Sequence, residues 1–233
     1  MLCVAYGVVY DYIFERFRPY QDLQKEIRRL VEITTADSVD RRQVHVLEVG
    51  CGPGNFTLSL AEAGFSVTGL DAYGALVELA REKRGAKRLA NVAFRCGDLS
   101  EGATFREGAF DHIVTIHSLY VHPAPERLLS EAYRVLKPGG HAIFVNHTRQ
   151  VGLWPTLREL AHCEGLQAAL RCLVWLLPNA IFEVARRPIG PHYWGETEFG
   201  TRLQQAGFTV LEMRRTFLNG ASLLVWARKN TED

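Results

Sequence analysis

The sequence predicts an α/β fold in which helices cover both faces of a parallel β-sheet. Short apolar runs alternate with segments of helical periodicity between residues 45 and 146. Glycines at positions 50, 52 and 54 follow the first apolar run, His45–Val49, and the second run leads to Asp71. Such a strand–turn–helix–strand unit is typical of nucleoside binding, because glycine lets the backbone approach the ligand and a carboxylate accepts the ribose hydroxyls.

Each element follows from a local pattern of the chain. Strands are predicted for the apolar runs at 45–49, 65–70, 92–95, 110–116, 141–145, 208–213 and 221–227. Helices are predicted for the periodic segments at 56–63, 75–83, 126–136 and 198–206. Lys137-Pro138-Gly139-Gly140 should end the helix before it, because neither proline nor glycine favours its continuation. Asn219-Gly220 is a strong hairpin-turn signal, so the last two strands should be antiparallel neighbours.

The 233 residues suit a single α/β domain with a sizeable insertion. Residues 8–33 have apolar and aromatic side chains at helical spacing, and Pro19 should split this segment into two helices. The insertion breaks the strand–helix alternation, and we expect it to pack over the carboxyl ends of the strands. We therefore divide the domain into an N-terminal helical cap (1–42), a ligand-binding core (43–146), a lid insertion (147–197) and a C-terminal helix and hairpin (198–233).

Composition argues against several classes of protein. The net charge of +1 provides no strong field for nucleic acid or an acidic membrane. The five cysteines are odd in number and lack CxxC spacing, which disfavours a disulfide framework or a zinc site and fits the reducing cytoplasm. The N-terminus lacks the basic region of a signal peptide. The apolar stretch at 166–182 is short and contains Arg171 and Pro178, so we expect no stable membrane span.

Several motifs occur in the order that a known family shows. They are Glu48-x-Gly50-x-Gly52-x-Gly54, Asp71, Gly97-Asp98-Leu99, Phe110-Asp111 and Leu136-Lys137-Pro138-Gly139-Gly140. Through them the chain resembles the class I S-adenosylmethionine-dependent methyltransferases, closely over residues 44–146 and by pattern over 198–229. The nearest likeness is to the small-molecule branch, which includes ubiquinone-type and secondary-metabolite enzymes. The resemblance implies a Rossmann-like seven-stranded sheet with its final strand inserted antiparallel, and S-adenosylmethionine as cofactor.

The resemblance also implies a cofactor site at the carboxyl ends of the first strands. Glu48 would support the methionyl ammonium, Asp71 would accept the ribose hydroxyls, and Asp98 would accept from the adenine amino group. The three glycines should avoid a collision between side chains and the methionine part of the cofactor. The predicted cofactor-binding residues are Glu48, Gly50, Cys51, Gly52, Gly54, Asp71, Ala72, Asp98, Leu99 and His117.

Methyl transfer is a one-step displacement that depends mainly on holding the acceptor in line in a dry site. A neutral hydroxyl acceptor also needs a base that titrates near pH 7, and histidine is the usual choice. His117 follows the fourth predicted strand and His147 the fifth, at the edge where ligands of open α/β sheets lie. We therefore predict these two histidines as bases, with Tyr120 orienting the substrate, although a structural role is the simpler interpretation of any one histidine.

Aromatic side chains of the cap and the insertion indicate a lipophilic or aromatic small-molecule substrate, methylated at oxygen, nitrogen or carbon. The predicted substrate-binding residues are Tyr10, Phe14, Tyr20, His122, Trp154 and Tyr193. We expect no metal ion and no nucleic-acid partner, and we expect a cytoplasmic monomer or homodimer.

Three other functions stay open at this point. The chain could use the same fold and cofactor for non-methyl chemistry on a quinone-like substrate, or it could be a non-catalytic cofactor-binding subunit. A nicotinamide oxidoreductase fits less well, because the glycines run GxGxG instead of GxGxxG. A nucleic-acid methyltransferase is disfavoured by the charge, and by His117-Ser118-Leu119-Tyr120 where such enzymes carry an Asn/Asp-Pro-Pro-aromatic tetrapeptide.

Overall fold

The computed structural model describes residues 17–36, 38–102, 104–148, 153–170 and 192–231. Seven strands form one sheet in the order β3-β2-β1-β4-β5-β7-β6. Their bounds are His45–Val49 (β1), Ser66–Asp71 (β2), Val92–Cys96 (β3), Phe110–Ile116 (β4), Leu136–His147 (β5), Thr209–Thr216 (β6) and Ser222–Arg228 (β7). Strands β1 to β5 are parallel, and β7 is antiparallel to both of its neighbours. The predicted fold class, including the antiparallel last strand, is confirmed.

Six α-helices with defined bounds lie beside the sheet in the described chain, and a further helical run covers residues 166–170. The six are Arg18–Ile33 (α1), Asn55–Glu62 (α2), Gly74–Lys87 (α3), Pro125–Val135 (α4), Leu153–Glu164 (α5) and Glu196–Gln205 (α6). Pro19 lies in the first turn of α1, where its missing N–H costs little, and the helix predicted before it lies outside the described residues. In the part of the chain that the structure describes, no helix is long and apolar enough to cross a membrane.

The core consists of two layers, one on each face of the sheet. Consecutive strand residues alternate between them, as Val46 and Leu47 do on β1. The first layer contains apolar side chains of α1, α2, α3 and α5, such as Ile27 and Leu160, and the second contains those of α4 and α6, such as Phe199. Because both faces of the sheet are covered, the central strands expose little surface beyond their ends.

The segment 137–140 corrects one expectation. Helix α4 ends before it as predicted, but β5 already includes the segment, whereas the strand was predicted to begin at residue 141. Leu136 pairs with Phe110 of β4, and a register shift follows before the regular pairing resumes. The Gly139 N–H donates to the carbonyls of Lys229 and Asn230, so the backbone finds partners after β7. Proline and glycine here produce an irregular strand because neighbouring chain satisfies its hydrogen bonds.

The closing hairpin confirms the antiparallel pairing of the last two strands. Its loop is five residues long, and the backbone is left-handed from Phe217 through Gly220. Left-handed conformations are unfavourable for residues such as Phe217 and Leu218. Both side chains are buried in the first core layer, and this packing opposes the cost of the loop conformation.

His112 is a buried histidine far from the carboxyl ends of the strands. Its ring nitrogens lie 3.5 Å from the Thr34 hydroxyl and 3.3 Å from the Thr35 hydroxyl, and its ring stacks on His141. Burial lowers the pKa of His112 to about 4, and the neighbouring His141 acts in the same direction. Between pH 6.5 and pH 4 the unfolded chain therefore binds a proton at this position that the folded protein does not.

We expect His112 to reduce stability as the pH falls below 6.5. The contribution of His112 to the free energy of unfolding should fall by about 2 kcal/mol as the pH is lowered from 7 to 5, and it should stay constant above pH 7. The measurement is the free energy of unfolding of the wild type minus that of His112→Gln, by denaturant titration across this range. Burial raises the pKa of Glu48 to about 8, so Glu48 increases the free energy of unfolding as the pH falls, opposite to His112. Taking the difference between the two proteins removes this contribution, because both contain Glu48. A pH-independent difference would contradict the expectation.

Candidate active site

A cavity of about 570 Å³ opens at the carboxyl ends of β1, β2 and β4, within the size range of small-molecule sites. Neighbouring connections leave β1 and β4 toward opposite faces of the sheet, which creates a crevice at this point. The wall comes from the end of β1, the loop after it and the residues that follow β2, β3 and β4. The sequence-predicted residues that line it are Tyr20, Glu48, Gly50, Cys51, Gly52, Asp71, Ala72, Asp98, Leu99, His117, Tyr120, His122 and His147.

The glycine loop after β1 has a left-handed backbone at Gly50, Gly52 and Gly54. A Cβ atom on Gly50 would lie 2.3 Å from the Ser118 Cβ, and one on Gly54 would lie 2.7 Å from the Phe94 ring. These two glycines therefore make room for the protein's own side chains. A Cβ atom on Gly52 would meet nothing within 4 Å, so only this glycine faces open space.

Asp71, the last residue of β2, is held by the backbone around it. Its Oδ2 accepts a 2.8 Å hydrogen bond from the Gly52 N–H, and its Oδ1 accepts one of 2.8 Å from the Tyr73 N–H. The carboxylate thus links the glycine loop to the start of α3 and is oriented at the cavity wall. The aspartate at this position therefore shapes the loop in addition to any contact with a ligand.

Glu48 is a buried carboxyl group in the same wall. The Thr57 hydroxyl donates to its Oε2. Burial raises the pKa of Glu48 to about 8, although the hydrogen bond from Thr57 opposes the shift. The side chain is therefore mostly protonated at neutral pH, and a cation placed beside it would favour the loss of that proton.

Asp98 and His122 form a pair at another part of the wall. The His122 Nε2 lies 3.0 and 3.1 Å from the two carboxylate oxygens, and its Nδ1 accepts from the Ala124 N–H. The Ser100 N–H also donates to Asp98. Burial alone would raise the pKa of Asp98, but the hydrogen bonds from Ser100 and His122 lower it. The structure therefore places His122, predicted for substrate, against the residue predicted for adenine.

Two histidines stack at the ends of β4 and β5. The rings of His117 and His147 are 3.8 Å apart at the centroids and inclined by only 7°. The Ser222 hydroxyl oxygen is within hydrogen-bond distance of both rings, 2.9 Å from the His117 Nε2 and 3.1 Å from the His147 Nδ1. Burial lowers the pKa of His117 well below its usual value, and a charge on His147 would lower it further. His117 is therefore a neutral ring at physiological pH.

Aromatic rings surround this histidine pair. The Tyr120 ring lies 4.9 Å from His147, and the Phe217 ring lies 5.0 Å from His117. Tyr20 of α1 contacts both His117 and Phe217, and Tyr193 packs against Tyr120. The site thus offers an apolar wall around two imidazoles.

Sequence reasoning missed two members of this site. Ser222 and Phe217 come from the closing hairpin, which reaches the site because the β5–β7 register pairs His147 with Ser222. The Asn219-Gly220 turn was the available signal, since it places the start of the last strand at the carboxyl edge of the sheet.

Five predicted residues lie elsewhere or outside the described chain. Tyr193 packs against Tyr120 but does not line the cavity. Gly54 is not among the residues that line the cavity. Trp154 on α5 is 80% exposed and does not line it either. Tyr10 and Phe14 fall outside the described residues. Residues just before α6 do reach the strand ends, since the His192 N–H donates to the Tyr120 carbonyl.

Comparisons with known proteins agree with this geometry. The profile of the family described as "Methyltransferase domain" matches residues 47–144. The ubiquinone biosynthesis O-methyltransferase of Acinetobacter baylyi is 35% identical over 192 residues, which cover 80% of this chain and 72% of that protein. The enzyme of the same description from Coxiella burnetii is 35% identical over 100 residues, and the match spans 43% of this chain and only 42% of that protein.

One further relative and one solved structure widen the comparison. A phosphatidylethanolamine N-methyltransferase of Cereibacter sphaeroides is 39% identical over 114 residues, 48% of this chain and 55% of that protein. The structure of a SAM dependent methyltransferase from Aquifex aeolicus covers 93% of this chain and 92% of its own, with a TM-score of 0.60 at 17% identity, which shows the fold alone. The Acinetobacter relative, together with the family match, establishes that the chain belongs to the class I S-adenosylmethionine-dependent methyltransferases, the family whose cofactor is S-adenosylmethionine.

Proposed function

We propose that this methyltransferase acts on a hydroxyl group of a hydrophobic or aromatic small molecule. The observation that carries the proposal is the stacked histidine pair at the cofactor cavity, enclosed by aromatic rings. A hydroxyl acceptor must lose a proton when it is methylated, and a neutral imidazole at this place can accept it. The names of the Acinetobacter and Coxiella relatives, both O-methyltransferases, support the same acceptor atom.

The cofactor residues are proposed from their positions on the cavity wall. Asp71 would accept the ribose hydroxyls, for which a carboxylate has suitable acceptor positions. Asp98, oriented by His122 and Ser100, would accept from the adenine amino group. Glu48 would face the methionyl ammonium, and Gly52 leaves the open space for the methionine chain. When bound, S-adenosylmethionine supplies a methyl group on a positively charged sulfur.

The wall also restricts the acceptor. Within the described residues, no lysine or arginine lines the cavity. An anionic group on the substrate would therefore lose its hydration there without gaining a cation in return. This supports a neutral aromatic or lipophilic acceptor, with His147 as the base and Tyr120 as the orienting group.

An amine acceptor is the second candidate. The tyrosine rings at the site could hold an ammonium group by cation–π contact, and the Cereibacter relative is named as an N-methyltransferase. Non-methyl chemistry with the same cofactor, or a cofactor-binding subunit without activity, would each give no methylated product. For the protein in the cell we propose a cytoplasmic monomer or homodimer.

We expect the enzyme to methylate phenols in preference to amines. The experiment incubates it with S-adenosylmethionine labelled in the methyl group and, separately, an alkylated phenol, an alkylated catechol, an alkylated aniline and dioleoyl phosphatidylethanolamine. Product is identified by mass spectrometry. Label found only in the amine products would overturn the hydroxyl proposal, and bound cofactor without product from any compound would favour non-methyl chemistry or the inactive subunit.

Changing His147→Gln should lower kcat on the phenolic acceptor by about a hundredfold, because a general base contributes roughly 10²–10⁴-fold. The Kd for S-adenosylhomocysteine should stay near the wild-type value. The matched control is His45→Gln, which alters an exposed histidine at the opposite end of β1. Equal pH–rate profiles of the wild type and His147→Gln would exclude His147 as the base.

Changing Asp71→Ala should weaken the binding of S-adenosylhomocysteine by about 10- to 100-fold, since hydrogen bonds to a charged group are lost. Calorimetry measures the Kd, and the melting temperature without ligand shows whether the glycine loop has also lost stability. Asp111→Ala is the control, because that carboxylate binds the His45 N–H and Lys137 away from the cavity. Equal affinity in the two variants would show that Asp71 does not hold the ribose.

Binding of S-adenosylhomocysteine should release a proton from Glu48. The pKa of Glu48 is about 8 in the free protein, and the ligand's ammonium should lower it, so affinity should rise with pH up to about 8 and then level off. Calorimetry at pH 7 in buffers of different ionisation enthalpy measures the release, which should approach one proton per site. Glu48→Gln should abolish it, and an undiminished release in that variant would assign the proton to another group.

A further inference from the structure

We propose that Ser222 is a positioning residue whose oxygen accepts a hydrogen bond from the His147 Nδ1–H when that ring takes up the proton of the methyl acceptor. The Ser222 O–H in turn donates a hydrogen bond to the Nε2 of His117, which stays neutral, and no proton leaves Ser222. This inference rests on the proposed function for its catalytic meaning. The arrangement itself follows from the hydrogen bonds among the three side chains.

Ser222 is fully buried at the start of β7, directly opposite His147 in the antiparallel pairing with β5. Its oxygen lies within hydrogen-bond distance of one nitrogen of each imidazole. A serine hydroxyl has one proton to donate and two lone pairs to accept with. It therefore donates to at most one of the two rings, and the proton positions on His117 and His147 depend on each other.

When His147 is charged, one arrangement of the protons lets Ser222 accept from His147 and donate to His117, and in the other Ser222 accepts from both rings. An imidazolium carries a proton on both nitrogens, so the His147 Nδ1–H must donate to Ser222. In the proposed arrangement the Ser222 proton points to the His117 Nε2, and His117 carries its own proton on Nδ1, a buried atom with no hydrogen-bond partner among the described residues. Two cations stacked at 3.8 Å in a buried site would repel strongly, so His117 serves as a neutral acceptor.

The proton balance of the reaction is simple. The acceptor O–H bond breaks, its proton binds the Nε2 lone pair of His147, and the oxygen uses its electron pair to bond the methyl carbon. The carbon–sulfur bond breaks with its electron pair on sulfur, which becomes neutral. His147 later returns the Nε2 proton to solvent. Ser222 and His117 hold the ring throughout, as neutral groups where many enzymes place a carboxylate.

The titration of the two histidines must be distinguished from that of other titratable groups nearby. Tyr20 of α1 faces His117, Tyr120 faces His147, and Tyr193 packs behind Tyr120, but free tyrosine titrates near pH 10. Glu48, Asp71, Asp98 and His122 line the same cavity. Because the pKa of Glu48 is about 8, the titration below is repeated in Glu48→Gln.

The test is a ¹⁵N NMR titration of the histidine rings in the ligand-free protein, with assignments from His117→Gln and His147→Gln. In the wild type we expect His117 to carry its proton on Nδ1 when His147 is charged. In Ser222→Ala we expect His147 to charge about one pH unit lower, since a charge-assisted hydrogen bond is lost, and the His117 tautomer should no longer respond. Thr115→Val is the control, because the buried Thr115 hydroxyl has no hydrogen-bond partner among the described residues.

Two results would overturn the role of Ser222. One is His117 protonated on Nε2 in the acid-titrated wild type, which can be read even if Ser222→Ala does not fold. The other is an unchanged titration of His147 in a folded Ser222→Ala protein, as judged by its melting temperature. Methyl transfer is assayed separately, so the expected tautomer response with no turnover would overturn the proposed function and leave the arrangement of the three side chains standing.

Discussion

The parallel pairing of β1 with both β2 and β4 is the constraint on which the site depends. Parallel neighbours require crossover connections, and these are right-handed, so the helices after β1 and β4 cover opposite faces of the sheet. The carboxyl edge of the sheet is left uncovered between the N-terminal ends of these two helices. The cavity forms there, and each residue that follows a central strand is delivered to its wall.

The wall combines polar groups with very little free charge at neutral pH. Glu48 holds its proton because it is buried, and His117 stays neutral for the same reason. Asp71 and Asp98 receive hydrogen bonds from backbone N–H groups. A reaction that removes positive charge from sulfur benefits from such surroundings, because little bulk water is present to stabilise the charged reactant.

The closing hairpin gives the site its acceptor end. The antiparallel insertion of β7 between β5 and β6 places Ser222 beside His147, which a parallel strand entering from the opposite edge would not do. The left-handed loop before it turns Phe217 toward Tyr20 and the histidines. Two left-handed non-glycine residues, His117 and Phe217, thus lie beside the proposed base, as unfavourable backbone conformations often do at functional sites.

The sequence by itself determined the alternation of strands and helices, the acidic end of β2 and the antiparallel hairpin, because these follow from local periodicity and turn residues such as Asn219-Gly220. It also predicted most of the polar residues that line the cavity, since residues just past parallel strands must meet at one edge. Only the tertiary structure decided that 137–140 is strand, that Gly50 and Gly54 make room for Ser118 and Phe94, that His122 faces Asp98, and that Ser222 bridges two histidines. These outcomes depend on partners distant in the chain, whose separation and orientation no local pattern encodes.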